Sequence, residues 1–166
     1  VVGNVTDYID ATVGDPGNLW TSSARGPTGD GRWKPNVCAP GRRVRSCRAN
    51  DNDGYVGFSG TSMSAPHVAG SAALLMDRSP VFRDRPEMLQ AVMMATATTD
   101  DNAVISSPGS AHLDTYGAGR INVYKAAFGF GGNTYTSWHW ENDGSNYTFR
   151  DFTVPTGCER IVAVMT

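Results

Sequence analysis

Cysteine is scarce in this chain of 166 residues, which has only Cys38, Cys47 and Cys158. No two of them form a C-x-x-C pair, so a metal site built from cysteine thiolates is not expected. Cys38 and Cys47 flank the Pro40-Gly41 turn, where two strands could face each other in a hairpin. Two interpretations stay open for this pair, a disulfide across the hairpin or two free buried thiols.

Long apolar runs and a strong net charge are also missing, and each absence excludes a class of partner. No apolar run approaches the ~20 residues that span a bilayer, so no membrane partner is expected. The formal net charge of −2 argues against a general binder of nucleic acid. One basic cluster follows the Pro-Gly turn and favours a solvated loop or hairpin; it consists of Arg42, Arg43, Arg45 and Arg48.

The first ten residues, VVGNVTDYID, have neither the basic start nor the apolar centre of a signal peptide, and no initial Met. They predict a strand over residues 1–7 in a sequence that begins within a larger protein. The overall composition, 40% apolar and 18% charged, is that of a folded domain with a sizeable core.

Further along, residue patterns predict alternating short strands and helices. Two short strands are expected at 37–39 and 44–47, a glycine-punctuated loop at 54–61, and a helix from about Ser62 to Asp77. A second helix is expected over 86–97, with Asp84 as its cap and its apolar stripe, methionines included, as core. A polar loop over 99–116 and a short amphipathic helix before residue 128 complete this part.

The stretch GFSGTSMSAPHVAGSAALLMD, residues 57–77, places a hydroxyl-rich turn before a helix that is apolar on almost every side. Such a helix is expected in the middle of a domain. One interpretation is that Thr61 or Ser62 caps the helix. The other is that Ser62 is a nucleophile held at the positive end of the helix dipole.

The eleven residues GTSMSAPHVAG, 60–70, closely resemble the nucleophile motif of the subtilisin-like serine proteases, the subtilases. SSARGPTGDGRWKPNVCAPG (22–41) is similar to a second stretch of the family, with Asn36 where an aspartate is usual. YGAGRINVYKAA (116–127) resembles the segment that closes the domain, and VVGNVTD the strand that enters this half. The resemblance covers about residues 1–128.

This resemblance implies an α/β fold, namely the C-terminal half of a subtilase catalytic domain with a mostly parallel sheet and helices. It implies serine endopeptidase activity through an acyl-enzyme on Ser62, with protein or peptide substrates and no cofactor required for the chemistry. The cleft residues implied beside Ser62 are Phe58 and Ser59 on the leaving-group side, Gly60 for close substrate approach, Thr61 at the oxyanion pocket, and Met63 next to the nucleophile.

His67 is the nearest candidate for a general base, but helix geometry argues against it. Five residues at 100° each turn it about 140° away from Ser62. The resemblance implies a packed structural role for His67, and Pro66 suits the first helical turn. In the subtilase order, the acid, the base and the oxyanion asparagine all precede this chain. We therefore expect a fragment that is inactive alone and needs the N-terminal half of the same domain as partner.

After GFGGN, residues 129–133, the pattern changes to alternation rich in Thr, Tyr, Phe, Trp and Val. This predicts two parts, residues 1–129 of the catalytic domain and residues 130–166 as the start of a truncated, β-sandwich-like extension. The resemblance also implies an extracellular or secreted protein. Structural Ca²⁺ is conceivable at loop aspartates but not assignable to a site; the candidates are Asp15, Asp30, Asp100, Asp101 and Asp114.

Two other classes of function stay open. One is a catalytically dead, subtilase-like scaffold or protein-binding module, against which the intact Gly60-Thr61-Ser62 motif argues. The other is a carbohydrate- or surface-binding role for residues 133–166, suggested by Trp138, Trp140 and Tyr147.

Overall fold

The computed structural model describes residues 1–6, 18–98 and 110–129. In these ranges the strands are β1 (Val2–Val5), β2 (Val37–Pro40), β3 (Val44–Cys47) and β4 (Tyr55–Phe58). The helices are α1 (Thr61–Arg78), α2 (Val81–Asp84), α3 (Pro86–Ala95), α4 (Ser110–Tyr116) and α5 (Val123–Phe128). This mixture of strands and helices confirms the expected α/β class.

Strands β1 and β2 pair in parallel, with Val2 opposite Val37 and Val5 opposite Pro40. Chain segments on both sides extend this pair through single bridges, antiparallel at Leu19 beside Val5 and parallel at Arg120 beside Cys38. Helix α1 packs against both strands. Parallel strands covered in this way are apolar along their whole length, which explains why VCA in β2 is buried throughout.

Strands β3 and β4 form a separate antiparallel hairpin, with Val44 opposite Phe58 and Cys47 opposite Tyr55. The solvated loop or hairpin predicted for the arginine cluster agrees with this exposed hairpin. The hairpin expected across the Pro40-Gly41 turn is wrong, because β2 and β3 belong to different sheets. The expected glycine-punctuated loop over 54–61 is wrong for residues 55–58, which are β4. Tyr55, Val56 and Phe58 are strand-forming residue types, and their pairing with β3 outweighs the two neighbouring glycines.

Helix α1 is where predicted, but its surroundings differ from the expectation. Of its residues, Ser64, Ser71 and Leu75 are buried, and Leu75 centres a cluster with Leu89, Val92, Met93 and Ala126. The opposite side of the helix is exposed, with Leu74 63% accessible. The prediction of a helix enclosed on every side is thus wrong for the described part of the chain, which covers only one side of it.

The C-terminal helices follow the predicted order with three corrections. Asp84 does not cap α3; it ends α2, and Arg85 occupies the cap position without a side-chain hydrogen bond. Part of the expected polar loop, residues 110–116, is helix α4. Asn122, which was not predicted as a cap, accepts a hydrogen bond from the Lys125 N–H at the start of α5, 2.9 Å away. The core role of Met93 is confirmed by its burial.

The two described cysteines are free, so the disulfide interpretation is wrong. Cys38 lies in the buried parallel pair, whereas Cys47 lies in the exposed hairpin, so the alternative of two buried thiols holds only for Cys38. Burial raises the pKa of the Cys38 thiol from 9.0 to about 12. Cys158, the predicted boundary at residues 129–133 beyond Gly129, and the strands expected after it lie outside the described residues. Among the described helices, none combines the length and apolar character needed to cross a bilayer.

Candidate functional site

Ser62 is the second residue of α1 and is exposed at the beginning of the helix. The cap position is held by Gly60, with φ 151° and ψ 169°, and no side chain donates or accepts a capping hydrogen bond there. This φ lies in the region that favours glycine, so the position requires Gly60 for conformational reasons as well. The interpretation of Thr61 or Ser62 as a simple cap is therefore wrong.

The start of α1 is electrostatically positive and is left open. The first turn contains no acidic residue, and the first N–H groups of any helix lack partners within the helix. Within the described chain, the Ser62 N–H has no hydrogen-bond acceptor. An N–H group at this end of a helix is suited to stabilise negative charge that develops on an oxygen atom.

We call residues 59–62 the nucleophile turn, and three hydrogen bonds hold it and the start of α1 in place. The Gly60 N–H donates to the Gly41 carbonyl at 2.7 Å. One residue beyond the turn's end, Met63 donates from its N–H to the Gly60 carbonyl at 3.0 Å. Ser64 in the first turn of α1 donates from its hydroxyl to the Ala39 carbonyl at 3.0 Å. The exposed Ser62 thus rests on the carboxyl end of a buried strand.

Gly41 occupies a space too small for any side chain. A Cβ atom there would lie 2.5 Å from Asn4 Oδ1 and 2.6 Å from the Gly60 carbonyl oxygen, and would collide with Ser64 Oγ. Asn4 is fully buried, and neither polar atom of its side-chain amide has a hydrogen-bond partner. Sequence analysis missed this cluster, because Asn4 shows no pattern and Gly41 was noted only as part of a turn.

The cleft residues Phe58 and Ser59 lie at the end of the hairpin, directly before the helix. Ser59 Oγ accepts a hydrogen bond from the Arg43 N–H at 2.8 Å, which joins the nucleophile turn to the base of β3. Phe58 is 58% exposed, although a phenyl ring is usually buried. Both residues lie within four positions of Ser62 along the chain, and their role in a substrate cleft stays a prediction.

Met63 is partly exposed, and Pro66 and His67 are exposed. The Nδ1–H of His67 donates to the Met63 carbonyl at 2.8 Å, one helical turn back. The packing expected for His67 is not supplied by contacts within the described chain, because the outer side of α1 is uncovered.

Two of the aspartates predicted as calcium ligands, Asp30 and Asp114, lie in the described ranges. The hydroxyl of Thr28 donates a hydrogen bond to Asp30, and this bond, followed by the contact with Arg32 at 2.8 Å, lowers the pKa of the Asp30 carboxyl. In the ranges that the structure describes, no three side chains of His, Cys, Asp and Glu converge as metal ligands would. Asp15, Asp100 and Asp101 lie outside those ranges, so structural calcium stays a prediction.

Comparison with known proteins agrees with this geometry. A family model described as the subtilase family matches residues 1–131. Over 116 residues, 63% of the chain, the sequence is 36% identical to C5a peptidase of Streptococcus pyogenes. Over 106 residues it is 36% identical to pyrolysin of Pyrococcus furiosus. The chain spans 9% and 8% of the lengths of these two relatives.

Solved structures share the fold. The CspB protease of Clostridium perfringens superimposes with a TM-score of 0.57 at 24% identity, over 75% of this chain and 25% of that one. The prenylagaramide maturation protease PagA superimposes with a TM-score of 0.51 at 25% identity, over 76% of this chain and 40% of that one. Each match covers well under half of the other protein.

Proposed function

Because the chain belongs to the subtilase family, we propose that it supplies the nucleophile, Ser62, to a serine endopeptidase. The observation that supports this most directly is the position of Ser62. Its side chain is exposed at the uncapped N-terminus of α1, and the turn before it is hydrogen-bonded to Gly41, the buried residue that follows β2. A residue that merely capped the helix would point back towards the backbone instead.

The proposed chemistry begins with attack of Ser62 Oγ on the carbonyl carbon of the scissile peptide bond. A general base removes the hydroxyl proton as the new C–O bond forms. The carbonyl oxygen becomes negative, and the Ser62 N–H and the helix dipole stabilise it. The base then protonates the leaving amine as the C–N bond breaks, and water hydrolyses the resulting ester to regenerate Ser62.

We propose that the base, its orienting acid and the oxyanion asparagine come from the N-terminal half of the same catalytic domain. In the subtilase order all three precede the segment with which this chain aligns. Without the base, Ser62 should be essentially unreactive, because an unassisted serine hydroxyl is a weak nucleophile. The active form would then contain both halves, in one polypeptide or in two.

The exposed side of α1 is the surface we propose for contact with that N-terminal half. Ala65, Ala69 and Ala73 are exposed and four residues apart, so they share one side of the helix. Leu74, equally exposed, lies beside them. Small side chains allow another element to approach the backbone closely, which would also cover His67 and meet the expectation that it is packed.

The test is labelling with a fluorophosphonate, which modifies serine only when a base and an oxyanion site activate it. We expect the purified chain to stay unlabelled alone and to be labelled at Ser62 after addition of the N-terminal half. In the complete protein, Ser62→Ala should lower peptidase activity about 10⁶-fold. Ser22→Ala, which removes an exposed hydroxyl elsewhere, should leave it unchanged.

Unchanged peptidase activity in Ser62→Ala would refute the proposal. A complete protein that folds but never labels would instead support the alternative of a catalytically dead scaffold. The family also leads us to propose peptide or protein substrates and an extracellular location. A secretion assay with the full-length gene would test the location.

A further inference from the structure

The β3–β4 hairpin has a basic pocket on one side, close to the nucleophile turn. Arg45 lies in β3, where the register places Gly57 opposite it, and Arg43 directly precedes the strand. Tyr55, two residues before Gly57, shares that side. The cavity has a volume of about 370 Å³ and is lined by Arg43, Arg45, Tyr55, Val56 and Gly57. We call it the arginine pocket.

The pocket exists because Gly57 has no side chain. A Cβ atom at Gly57 would meet only the Arg43 carbonyl oxygen within 4 Å, at a distance of 4.0 Å. The space above Gly57 is therefore open, and its walls are the side chains of Arg45 and Tyr55. A larger residue at 57 would fill this space without disturbing the backbone.

Arg45 is held in an orientation suited to binding an anion. Its guanidinium carbon lies 4.6 Å from the centre of the Tyr55 ring, which fixes the side chain by a cation–π contact. Stacking uses the flat side of the guanidinium and leaves its N–H groups at the edge. Within the described ranges, no carboxylate lies within ion-pair distance of Arg45. Its edge can therefore accept a carboxylate from another molecule.

The hairpin's own carboxylates lie at its far end. Asp51 and Asp53 are in the turn between the strands, where Asp51 Oδ1 accepts the Asp53 N–H at 3.3 Å. Because the whole chain has a formal net charge of −2, the basic character of the pocket is local rather than general. Local positive charge favours acidic ligands specifically at this place.

The pocket is connected to the chain just before Ser62 by a hydrogen bond. The Arg43 N–H donates to Ser59 Oγ, and Ser59 precedes Ser62 by three residues. The Gly60 N–H donates to the Gly41 carbonyl, so the chain ends on both sides of the hairpin are joined next to Ser59. A peptide that occupies the cleft beside Phe58 and Ser59 would pass within reach of long side chains from β3.

We propose that the arginine pocket binds an acidic side chain of the substrate, on the leaving-group side of the scissile bond. The assignment of that side rests on the proposed function; binding of carboxylate by the pocket does not. The enzyme would then prefer glutamate or aspartate over the matching amides there. Paired guanidinium N–H groups suit a carboxylate because they donate two parallel hydrogen bonds.

The test measures binding to this chain by fluorescence anisotropy, so that hydrolysis is not required. Two labelled peptides differ only in having two glutamates or two glutamines. We expect the glutamate peptide to bind about fivefold more tightly at low salt, a ratio typical of exposed charge pairs. Arg43→Gln/Arg45→Gln should abolish the difference, and so should Gly57→Val, which fills the pocket and keeps both charges.

The control is Arg48→Gln/Arg83→Gln, which also removes two positive charges. Neither residue lines the pocket; Arg48 lies in the hairpin and Arg83 in α2. This variant should keep the preference for glutamate. Equal affinity of the wild-type chain for both peptides, or an equal loss in the control variant, would overturn the proposal. If Ser62 is labelled but the glutamate preference is absent, only the pocket assignment fails. If the preference is present but Ser62→Ala is fully active, only the proposed function fails.

Discussion

The parallel pair β1–β2 and the hairpin β3–β4 meet at Gly41, yet their side chains have opposite surroundings. In the parallel pair, Asn4, Cys38 and Ala39 have no solvent exposure. In the hairpin, Tyr55 and Phe58 are each 58% exposed although both are aromatic. The chain between them bonds to the nucleophile turn twice: the Gly41 carbonyl after β2 accepts the Gly60 N–H, and the Arg43 N–H before β3 donates to Ser59 Oγ.

This difference separates two tasks that a catalytic site has to combine. A nucleophile must be held in place, which requires dense packing that tolerates few substitutions. A substrate must be contacted, which requires exposed side chains that can differ between related enzymes. For the proposed nucleophile Ser62, the parallel pair is suited to the first requirement, and the exposed hairpin is suited to the second.

The largest expected effect comes from substituting one glycine in each region. Gly41→Ala places a methyl group against Asn4, Ser64 and Gly60, and should lower the free energy of unfolding by about 3 kcal/mol. Gly57→Ala meets only open space and should change it by less than about 0.5 kcal/mol. Urea denaturation followed by circular dichroism measures both. Similar losses in the two variants would show that the regions are packed alike.

A smaller effect of opposite sign is expected at Asn4. Because both polar atoms of its buried amide lack partners, Asn4→Leu removes an unsatisfied group and should raise the free energy of unfolding by about 1 kcal/mol. The hairpin control is Ser46→Val, an exposed polar-to-apolar change that should have an effect below about 0.5 kcal/mol. Destabilisation by Asn4→Leu would mean that the amide has a partner in solution, such as a buried water molecule.

The smallest difference in stability is expected at the two described cysteines, Cys38 and Cys47. Their thiols should differ in reactivity, because one is buried and the other exposed. Iodoacetamide at pH 8 should modify the exposed Cys47 and leave the buried Cys38 unmodified until denaturant is added. Peptide mass mapping distinguishes the two sites. Equal modification of both in the folded chain would contradict the burial of β2.

The pKa of Cys38 adds a pH dependence with a definite sign. The folded pKa of about 12 lies above the ordinary value of 9.0, so the folded state holds this proton more tightly than the unfolded state. The contribution of Cys38 is complete below pH 9 and is lost as the pH rises from 9 towards 12. Cys38→Ala should reduce this loss, measured as the unfolding free energy across that range.

Much of the fold could be predicted because local signals and tertiary packing agree. The residue types of Val37, Cys38 and Ala39 predict a strand, and the apolar residues of α1 predict a helix; both elements are present. The glycines of residues 54–61 predict a loop before Ser62. Residues 55–58 nevertheless form β4, because they pair with β3. Pairing partners distant in sequence are invisible to a local pattern.

Ser62 could be singled out because its motif is long and specific, whereas its supports could not. Asn4 and Gly41 are 37 residues apart, and only folding shows that they share one space. The side of α1 that stays exposed was also missed, because an apolar helix does not reveal which neighbours cover it. The sequence predicts a solvated loop or hairpin for Arg45 and a loop over 54–61 for Tyr55, whereas the stacking of the two residues depends on the register of two strands.

The hydrogen bond between the Gly60 N–H and the Gly41 carbonyl has a consequence for the length of the segment that it encloses. It closes the base of the segment from residue 42 to residue 59, so that the segment leaves and re-enters the domain at a single point. Lengthening a closed loop costs little additional entropy, since that cost grows only with the logarithm of its length. We therefore expect that the hairpin tolerates changes in length and sequence while Ser62 keeps its position.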